Sequence, residues 1–295
     1  MTAGRGGVLD RVAGAPISWG VCEVPGWGHQ LAVTRVLAEM RDVGLVATEF
    51  GPDGFLPPAP ADKAAVLAQH GLRAVGEFVP VVLHDPGVDP VPVLDRALDG
   101  LVAAGADVVV LAAVTGGEGY ENRPVLAQAD WDRLLRALDS LAARAADRGV
   151  TACLHPHVGT IVERAEEVRR VLDGSGVPLC LDTGHLLIGG TDPAALAAEV
   201  PDRVRHVHLK DVDDAWAARV RAGEVGYAAA VAAGMYRPLG AGDVDVAGIV
   251  TGLEGAGYDG WYVLEQDTVL SADPAPGAGP VGDVAASLTH LRSLA

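Results

Sequence analysis

Short apolar segments alternate with longer amphipathic segments along almost the entire chain, and the alternation repeats eight times. The segments that we predict as strands are residues 12–18, 45–50, 73–82, 107–112, 151–154, 178–182, 204–209 and 261–265. The segments that we predict as helices are residues 31–43, 60–70, 91–105, 129–148, 162–174, 192–199, 244–257 and 281–294. Strand segments such as VVVLAAV and VPLCLD are continuously apolar, which is typical of parallel strands that are covered on both faces. Eight strand–helix units with short links predict an α/β protein that folds as a (β/α)8 TIM barrel.

The chain length fits that architecture. At about 150 residues per domain the 295 residues allow two domains, but α/β barrels of about 250 residues form a single one. We therefore expect one barrel domain over residues 1–295. A doubly wound open sheet is the alternative, but the GxGxxG sequence that usually follows its first strand is missing.

Charge, cysteine content and hydropathy narrow the class of protein. The net charge of −17, from 22 basic and 39 acidic residues, argues against a nucleic-acid partner, which requires a basic protein face. No segment reaches the roughly 18 consecutive apolar residues of a membrane span, and the sequence MTAGRGGVLDRVAG lacks the apolar region of a signal peptide. Three cysteines without a CxxC pair fit a reducing compartment. We expect a cytoplasmic protein with no membrane partner.

Titratable side chains stand at the carboxyl ends of most predicted strands, which is where TIM barrels place their active sites. These residues are Glu49, Glu77, His155, His157, Asp182, His185, His206, His208, Lys210, Asp211, Glu265 and Asp267. Four of them can converge on one divalent cation, namely His155, Asp182, His208 and Glu265. Such a nitrogen and oxygen ligand set suits Mn²⁺, Co²⁺, Fe²⁺ or Zn²⁺ better than Ca²⁺. Alternate residues of a strand share a face, so His157 can replace His155 as the ligand or can hold the substrate instead.

Lysine is nearly absent from the chain, since only Lys63 and Lys210 stand against twenty arginines. A desolvated lysine near a cation can lose its proton near neutral pH, whereas arginine stays protonated. We therefore predict Lys210 as an acid–base residue, with an ion pair to Asp211 as the structural alternative.

Two more residues are candidates for catalysis. Glu77 can serve as a base or a metal ligand, or it can simply pair with Arg73 or another barrel residue. His185 follows Asp182 by three residues, and we expect it to donate or accept a hydrogen bond at a substrate oxygen.

Substrate contacts are expected from loops at the predicted barrel mouth. Trp19 can form a wall for a sugar-like ring, and the glycines of GPDGF can turn Glu49 inward. The long segment 213–237 is a candidate lid, and Arg237 at its end can contact the substrate. The predicted substrate-binding residues are thus Trp19, Glu49, His157, Asp211 and Arg237.

Three motifs carry a family resemblance: LDTGH at 181–185, HVHLKD at 206–211 and WYVLEQD at 261–267. They resemble the xylose isomerase-like TIM barrels of the sugar phosphate isomerase/epimerase superfamily. The chain is most similar to the inosose dehydratase group. The segments that indicate this group are APISWG at 15–20, ATEFGPDGFLP at 47–57, LHPHVGT at 154–160, LDTGHLLIGGTDP at 181–193 and GYDGW at 257–261.

The resemblance implies a metal site and a reaction. By position, the superfamily's ligands fall on His155, Asp182, His208 and Glu265, and His155 stands where most members have Glu. The dehydratase-like branch also carries histidines there, with His157 or a water as the alternative ligand. The implied cofactor is Mn²⁺ or Co²⁺, with Zn²⁺, Fe²⁺ or Mg²⁺ as alternatives. The implied reaction is dehydration of 2-keto-myo-inositol (scyllo-inosose) through an enediolate.

Two other functions stay open on the same scaffold. One is a metal-dependent ketose isomerase or epimerase, and the other is a sugar-binding barrel without catalysis. In each case the partner is a small polyol or ketose. The resemblance further implies that the chain can assemble as a homo-oligomer. Charge and the small number of candidate ligands argue against DNA repair like that of endonuclease IV.

Overall fold

A computed structural model describes residues 7–294, whose strands form one closed parallel barrel and one small accessory sheet. The barrel strands are β1 (Val12–Gly14), β2 (Ala47–Glu49), β3 (Arg73–Val81), β4 (Val108–Ala113), β5 (Thr151–Leu154), β6 (Leu179–Asp182), β7 (Val204–Leu209) and β10 (Tyr262–Leu264). Around the barrel they follow the order β1-β10-β7-β6-β5-β4-β3-β2. The accessory sheet pairs β8 (Asp211–Val212) with β9 (Tyr236–Arg237) in antiparallel fashion. The predicted (β/α)8 TIM barrel is confirmed.

Helices connect the barrel strands, and all eight predicted ones are present with ends shifted by a few residues. The helices are α1 (Val33–Asp42), α2 (Pro60–Gln69), α3 (Val91–Ala104), α4 (Gln128–Ala146), α5 (Ala165–Gly174), α6 (Thr183–Ile188), α7 (Pro193–Glu199), α8 (Asp214–Arg221), α9 (Tyr227–Ala232), α10 (Val246–Ala256) and α11 (Pro280–Arg292). Gly105 and Gly257 end α3 and α10 with φ of 71° and 88°, a conformation that glycine adopts at little cost. Within residues 7–294, the helices lack the combination of length and apolar character that a bilayer crossing requires.

Small side chains fill two separate clusters of the barrel interior. One contains Ala13, Ala47, Val75 and Val263. The other contains Val108, Val110, Cys153 and Cys180, with Phe78 packed against it. Apolar faces of the helices bury the outer side of the strands in the main core. The interior is therefore packed up to the level at which the polar side chains begin.

Two segments differ from the sequence prediction. The first strand ends at Gly14 because Pro16, which has no N–H for a ladder, begins a 3₁₀ turn over Pro16–Trp19. The candidate lid, residues 213–237, is not an irregular loop. It folds into α8 and α9 and returns through β9, with Val212 opposite Tyr236 in the accessory sheet.

Candidate active site

A cavity of about 710 Å³ opens at the carboxyl ends of the barrel strands. Its wall contains predicted site residues from several strands, namely Glu49, Glu77, His155, His157, Lys210 and Glu265. Lys63, Tyr120 and Asp267 also line it. The structure thus brings residues of distant sequence positions to one depression, as the barrel architecture predicts.

Four neighbouring strands hold the predicted metal ligands on one side of this cavity. β5, β6, β7 and β10 are consecutive in the barrel, and they carry His155, Asp182, His208 and Glu265 in or just after them. One donor atom of each residue lies within 4.8 Å of the others. Asp182 Oδ2 is 3.1 Å from His155 Nε2 and 3.6 Å from His208 Nδ1. These four residues, hereafter the His/Asp/Glu cluster, form a group that could hold a metal ion.

The donor atoms of the cluster fit a divalent cation. His208 Nδ1 and Glu265 Oε2 are buried and lie 2.7 Å apart. Among residues 7–294, however, neither atom has a partner in hydrogen-bonding geometry. The other nitrogen of His208, Nε2, is 3.0 Å from Oε1 of Glu49. A proton on Nε2 would be donated to Glu49, which leaves the lone pair of Nδ1 for a metal. Two imidazoles and two carboxylates suit Mn²⁺, Co²⁺, Fe²⁺ or Zn²⁺.

The surroundings of His208 favour positive charge at the centre of the cluster. Burial lowers the pKa of His208, but Cys180, Glu265 and Glu49 outweigh burial and raise it well above its ordinary value. Burial likewise opposes ionisation of Glu265, but His208 and Lys210 lower its pKa to about 2. A cation in the cluster would replace the additional proton on His208 and would be held by an ionised Glu265.

The DTGH sequence builds its corner of the cluster through both oxygens of one carboxylate. Asp182 Oδ1 accepts a hydrogen bond from the backbone N–H of His185 at 2.7 Å and so caps α6, while Oδ2 faces the cluster. Thr183 Oγ1 donates to the carbonyl oxygen of Lys210 at 2.6 Å. Gly184 is needed because a Cβ there would lie 2.7 Å from Cβ of Lys210. The motif therefore fixes β6 against β7 at the site.

Lys210 lies beside the cluster as a buried ammonium group. Its Nζ pairs with Asp267, is 3.0 Å from Glu265 Oε2 and is 3.8 Å from Asp182 Oδ2. Burial lowers the pKa of Lys210, but Asp267, Glu265 and Asp182 outweigh it and hold the pKa well above its ordinary value. These carboxylates therefore keep Lys210 protonated as long as no cation is bound, and loss of its proton beside a bound cation stays a prediction. The ion-pair partners of Lys210 are Asp267 and Glu265 rather than the predicted Asp211.

A hydrogen-bonded network behind Lys210 was not predicted from the sequence. Tyr227 of α9 donates its hydroxyl proton to Asp267 Oδ2 at 2.5 Å, and Tyr227 Oη is 2.8 Å from Tyr236 Oη. Segment 213–237 therefore contributes two buried tyrosines to the site. Asp267 is among the titratable residues that the sequence places at the strand ends, whereas nothing in the sequence indicates the two tyrosines.

His157 presents a neutral imidazole to the cavity. Its Nδ1 lies 2.7 Å from the carbonyl oxygen of Val158, which can only accept, so the proton is on Nδ1 and Nε2 is an acceptor. Burial and the nearby His155 lower its pKa to about 3. The ring packs 3.7 Å, centroid to centroid, from His185 and is covered by Tyr120 at 6.2 Å. Burial also places the pKa of His185 well below its ordinary value.

Glu49 and Glu77 line the cavity, and each also has partners within the protein. Glu49 Oε1 accepts from Nε2 of both His206 and His208, at 2.8 Å and 3.0 Å. It thus supports the cluster from below, and the structure gives it a role in positioning His208. Glu77 Oε1 is 3.3 Å from Lys63 Nζ. Arg73, the alternative partner for Glu77, instead stacks 4.9 Å above the ring of Trp261.

Three predicted substrate residues are not among the cavity-lining side chains of residues 7–294. Trp19 is fully buried and donates from Nε1 to Glu39 Oε2 at 2.9 Å, because the 3₁₀ turn directs it into the core. Arg237 is 3.2 Å from Asp213 Oδ2, and its side chain is 42% exposed outside the cavity lining. The structure thus disagrees with the predicted substrate contacts of both residues.

Asp211, the third of these residues, holds the backbone of the returning segment. Its carboxylate accepts hydrogen bonds from four backbone N–H groups, those of Val212, Gly240, Gly242 and Val244. Gly242 approaches so closely that a Cβ there would lie 2.3 Å from Asp211 Oδ1. The predicted substrate contact is wrong for Asp211, since both oxygens are occupied by the backbone.

The fold and the site together define a (β/α)8 barrel with a candidate metal centre at the carboxyl ends of its strands. A sequence profile of the xylose isomerase-like TIM barrel family matches residues 37–294, so the chain belongs to this family. It is 31% identical to an inosose dehydratase of Geobacillus kaustophilus over 90% of this chain and 88% of that one. It is 34% identical to the rhizopine catabolism protein MocC of Rhizobium meliloti, over 90% of this chain and 84% of that one.

Solved structures agree on the fold. An L-ribulose 3-epimerase superposes with a TM-score of 0.68 over 96% of this chain and 94% of its own, at 17% identity. At 17% identity this similarity shows the fold alone. The sequence relatives, in contrast, show that this chain is an enzyme of the hydro-lyase kind.

Proposed function

We propose that this chain is a metal-dependent hydro-lyase that removes water from 2-keto-myo-inositol (scyllo-inosose) or a related cyclic polyol ketone. The observation that carries the proposal is the His/Asp/Glu cluster, which lies beside the ammonium of Lys210 in the wall of one cavity. The similarity to inosose dehydratases over most of both chains supports the choice of substrate.

Mn²⁺ or Co²⁺ is the proposed cofactor, held by His155, Asp182, His208 and Glu265. Zn²⁺, Fe²⁺ and Mg²⁺ are the alternatives. When bound, the ion supplies a Lewis acid that stabilises negative charge on the ketone oxygen, which makes the neighbouring C–H acidic. The remaining chemistry falls to side chains of the chain itself.

Lys210 is suited to act as the acid. Its ammonium carries three protons and lies next to the cluster, so it can donate one to the hydroxyl that departs as water from the carbon β to the ketone, while the proton lost from the α carbon passes to solvent in the open cavity. Asp267 keeps the ammonium in place from the opposite side.

His157 is suited to bind the substrate. Its Nε2 is an acceptor, because Nδ1 is engaged by the backbone, and it can receive a hydrogen bond from a ring hydroxyl. His185, expected to contact a substrate oxygen, is not among the cavity-lining side chains of residues 7–294. It is suited to position His157 instead, because its ring stacks on that of His157 and its Nδ1 accepts from the backbone N–H of Val158 at 3.4 Å.

The substrate is an uncharged small molecule rather than a nucleic acid, because a chain with net charge −17 repels phosphates. We place the protein in the cytoplasm as one barrel domain over residues 1–295, of which 1–6 and 295 lie outside the described part.

The test is the mass of the product. The metal-loaded protein is incubated with a panel of inososes and ketoses, and the products are examined by mass spectrometry. Loss of one water from an inosose supports the proposal. A product of unchanged mass indicates a ketose isomerase or epimerase instead, and binding without any turnover indicates a sugar-binding barrel.

A further inference from the structure

Both lysines of the chain line the same cavity. Lys210 follows β7, and Lys63 extends from α2 to Glu77 on β3, with 3.3 Å between Nζ and Oε1. The side chains of Lys63 and Glu77 are 13% and 10% exposed, and Nζ lies 4.4 Å from the ring centre of Phe50. A chain with twenty arginines thus places both of its lysines in the wall of one cavity.

The Lys63–Glu77 pair lies across the barrel from the His/Asp/Glu cluster. In the closed order of eight strands, β3 is four strands away from β7 in either direction. β7 carries His208 and precedes Lys210, so the pair and the cluster approach the cavity from opposite walls. A molecule whose ketone lies at the cluster has its far edge directed toward Lys63 and Glu77.

Hydrogen-bonding capacity remains at this pair. An ammonium group has three donors, and within residues 7–294 Lys63 Nζ donates a hydrogen bond to Glu77 alone. The second oxygen of Glu77, Oε2, is buried and has no partner within the described part of the chain. Burial raises the pKa of Glu77 to about 7 although Lys63 opposes this effect. Buried polar groups are nearly always satisfied, so an unsatisfied one in a cavity wall calls for a ligand.

The chemistry of the pair and its surroundings selects the kind of ligand. An ammonium donor beside a carboxyl acceptor complements two adjacent hydroxyls, of which one accepts and the other donates. An anionic group fits poorly, because the acidic side chains that line the cavity, Glu23, Asp53 and Asp267 among them, outnumber the basic side chains of Lys63, Arg96 and Lys210. The complementary ligand is therefore an uncharged compound rich in hydroxyls.

We propose that Lys63 and Glu77 form a hydroxyl-binding subsite that holds the edge of a cyclic polyol remote from the His/Asp/Glu cluster. The assignment rests on the proposed function in one respect, namely that the ketone lies at the cluster. It makes Lys63 and Glu77 determinants of specificity, and it moves Glu77 from the predicted catalytic group to substrate binding.

Binding of myo-inositol tests this subsite without turnover, because myo-inositol has the hydroxyls and no ketone. Its Kd is measured by calorimetry for the Mn²⁺-loaded wild type and for Lys63→Met and Glu77→Gln. Arg144→Met is the matched control, since Arg144 pairs with Asp95 on the outer surface. We expect each subsite variant to bind about tenfold more weakly, which is the loss of one charged hydrogen bond. The control is expected to match the wild type, and melting temperatures check folding.

Two results overturn the subsite: wild-type affinity in both Lys63→Met and Glu77→Gln, or no binding of myo-inositol to the wild type at millimolar concentration. The failure of the proposed function is a different result. Weaker binding of myo-inositol by Lys63→Met, together with no dehydrated product from scyllo-inosose, would support the subsite and contradict the dehydratase function. Dehydration of scyllo-inosose by Lys63→Met with an unchanged KM would support the dehydratase function and contradict the subsite.

Discussion

Nε2 of His208 lies 3.0 Å from Oε1 of Glu49, while Nδ1 of the same ring faces Asp182 and Glu265. The two nitrogens of one imidazole thus have separate tasks. A carboxylate that accepts the proton of one nitrogen fixes the tautomer and strengthens the other nitrogen as a ligand. Glu49, expected to contact substrate, lines the cavity and is also the carboxylate that would fix the tautomer of His208 for a metal.

Replacement of Glu49 by glutamine is expected to weaken metal binding. The neutral amide retains the shape of the side chain but removes the negative charge that supports His208. Loss of such a supporting carboxylate costs about 10–100-fold in metal affinity. Titration of the metal-free protein with Mn²⁺ measures this Kd. Glu254→Gln is the control, because Glu254 pairs with Arg11 outside the cavity. Equal affinities in both variants would contradict the role of Glu49.

Replacement of His155 is expected to affect metal binding, and replacement of His157 is expected to affect substrate binding. His155→Ala removes a ligand and should abolish stoichiometric Mn²⁺ binding, because Nε2 of His155 lies 3.1 Å from Asp182 Oδ2. His157→Ala should bind the metal and raise KM for the polyol, because His157 lines the cavity and is not part of the His/Asp/Glu cluster. Metal content by elemental analysis and steady-state kinetics distinguish the two. The reverse pattern would make His157 the ligand.

Tyr227→Phe is expected to lower turnover by several-fold. The variant loses the hydrogen bond to Asp267, which in turn holds Lys210 at the cluster. Tyr258→Phe is the matched control, because its hydroxyl donates to the carbonyl oxygen of Trp261 at a comparable 2.7 Å. The stability loss should be about 1 kcal/mol for each hydrogen bond removed, two in Tyr227→Phe and one in Tyr258→Phe, but only Tyr227→Phe should change kcat. If the two variants have equal kcat values, Tyr227 serves stability alone.

Glu77 should make the stability of the protein depend on pH. Its pKa is raised from 4.5 to about 7 by burial, so the folded state holds the proton more tightly than the unfolded chain. The folded state then binds more protons between these pH values, and the contribution of Glu77 is lost as pH rises through about 7. Glu77→Gln should therefore gain stability relative to the wild type from pH 5 to pH 8, by at most about 3 kcal/mol at 1.36 kcal/mol per pKa unit.

Urea unfolding at several pH values measures this difference. Lys63→Met is the informative companion variant, because loss of the ammonium removes the opposing effect and should steepen the dependence on pH. A stability difference between Glu77→Gln and the wild type that is constant with pH would show that Glu77 has its ordinary pKa.

The barrel and the four candidate ligands could be read from the sequence for the same reason. Repetition of strand and helix fixes the closed sheet, and the sheet gathers the carboxyl ends of consecutive strands. β5, β6, β7 and β10 are neighbours in this sheet, so residues as distant as His155 and Glu265 had to meet.

Other features depend on the directions of individual side chains, which sequence periodicity does not determine. Trp19 was misplaced because a single proline, Pro16, shortens β1 and turns the indole into the core. Tyr227 and Tyr236 reach the site because segment 213–237 folds back on β8, and nothing in its composition shows which face turns inward. The charge of Lys210 depends on its distances to three carboxylates, which only coordinates provide.

The central claim is that a metal held by the His/Asp/Glu cluster is required for dehydration of a cyclic polyol ketone. The most direct measurement follows the conversion of scyllo-inosose by the chelated protein before and after addition of one equivalent of Mn²⁺ or Co²⁺, with Asp182→Asn in parallel. We predict no conversion without metal, a product lighter by one water after addition, and no recovery in Asp182→Asn. Full conversion by the chelated wild type would contradict the account.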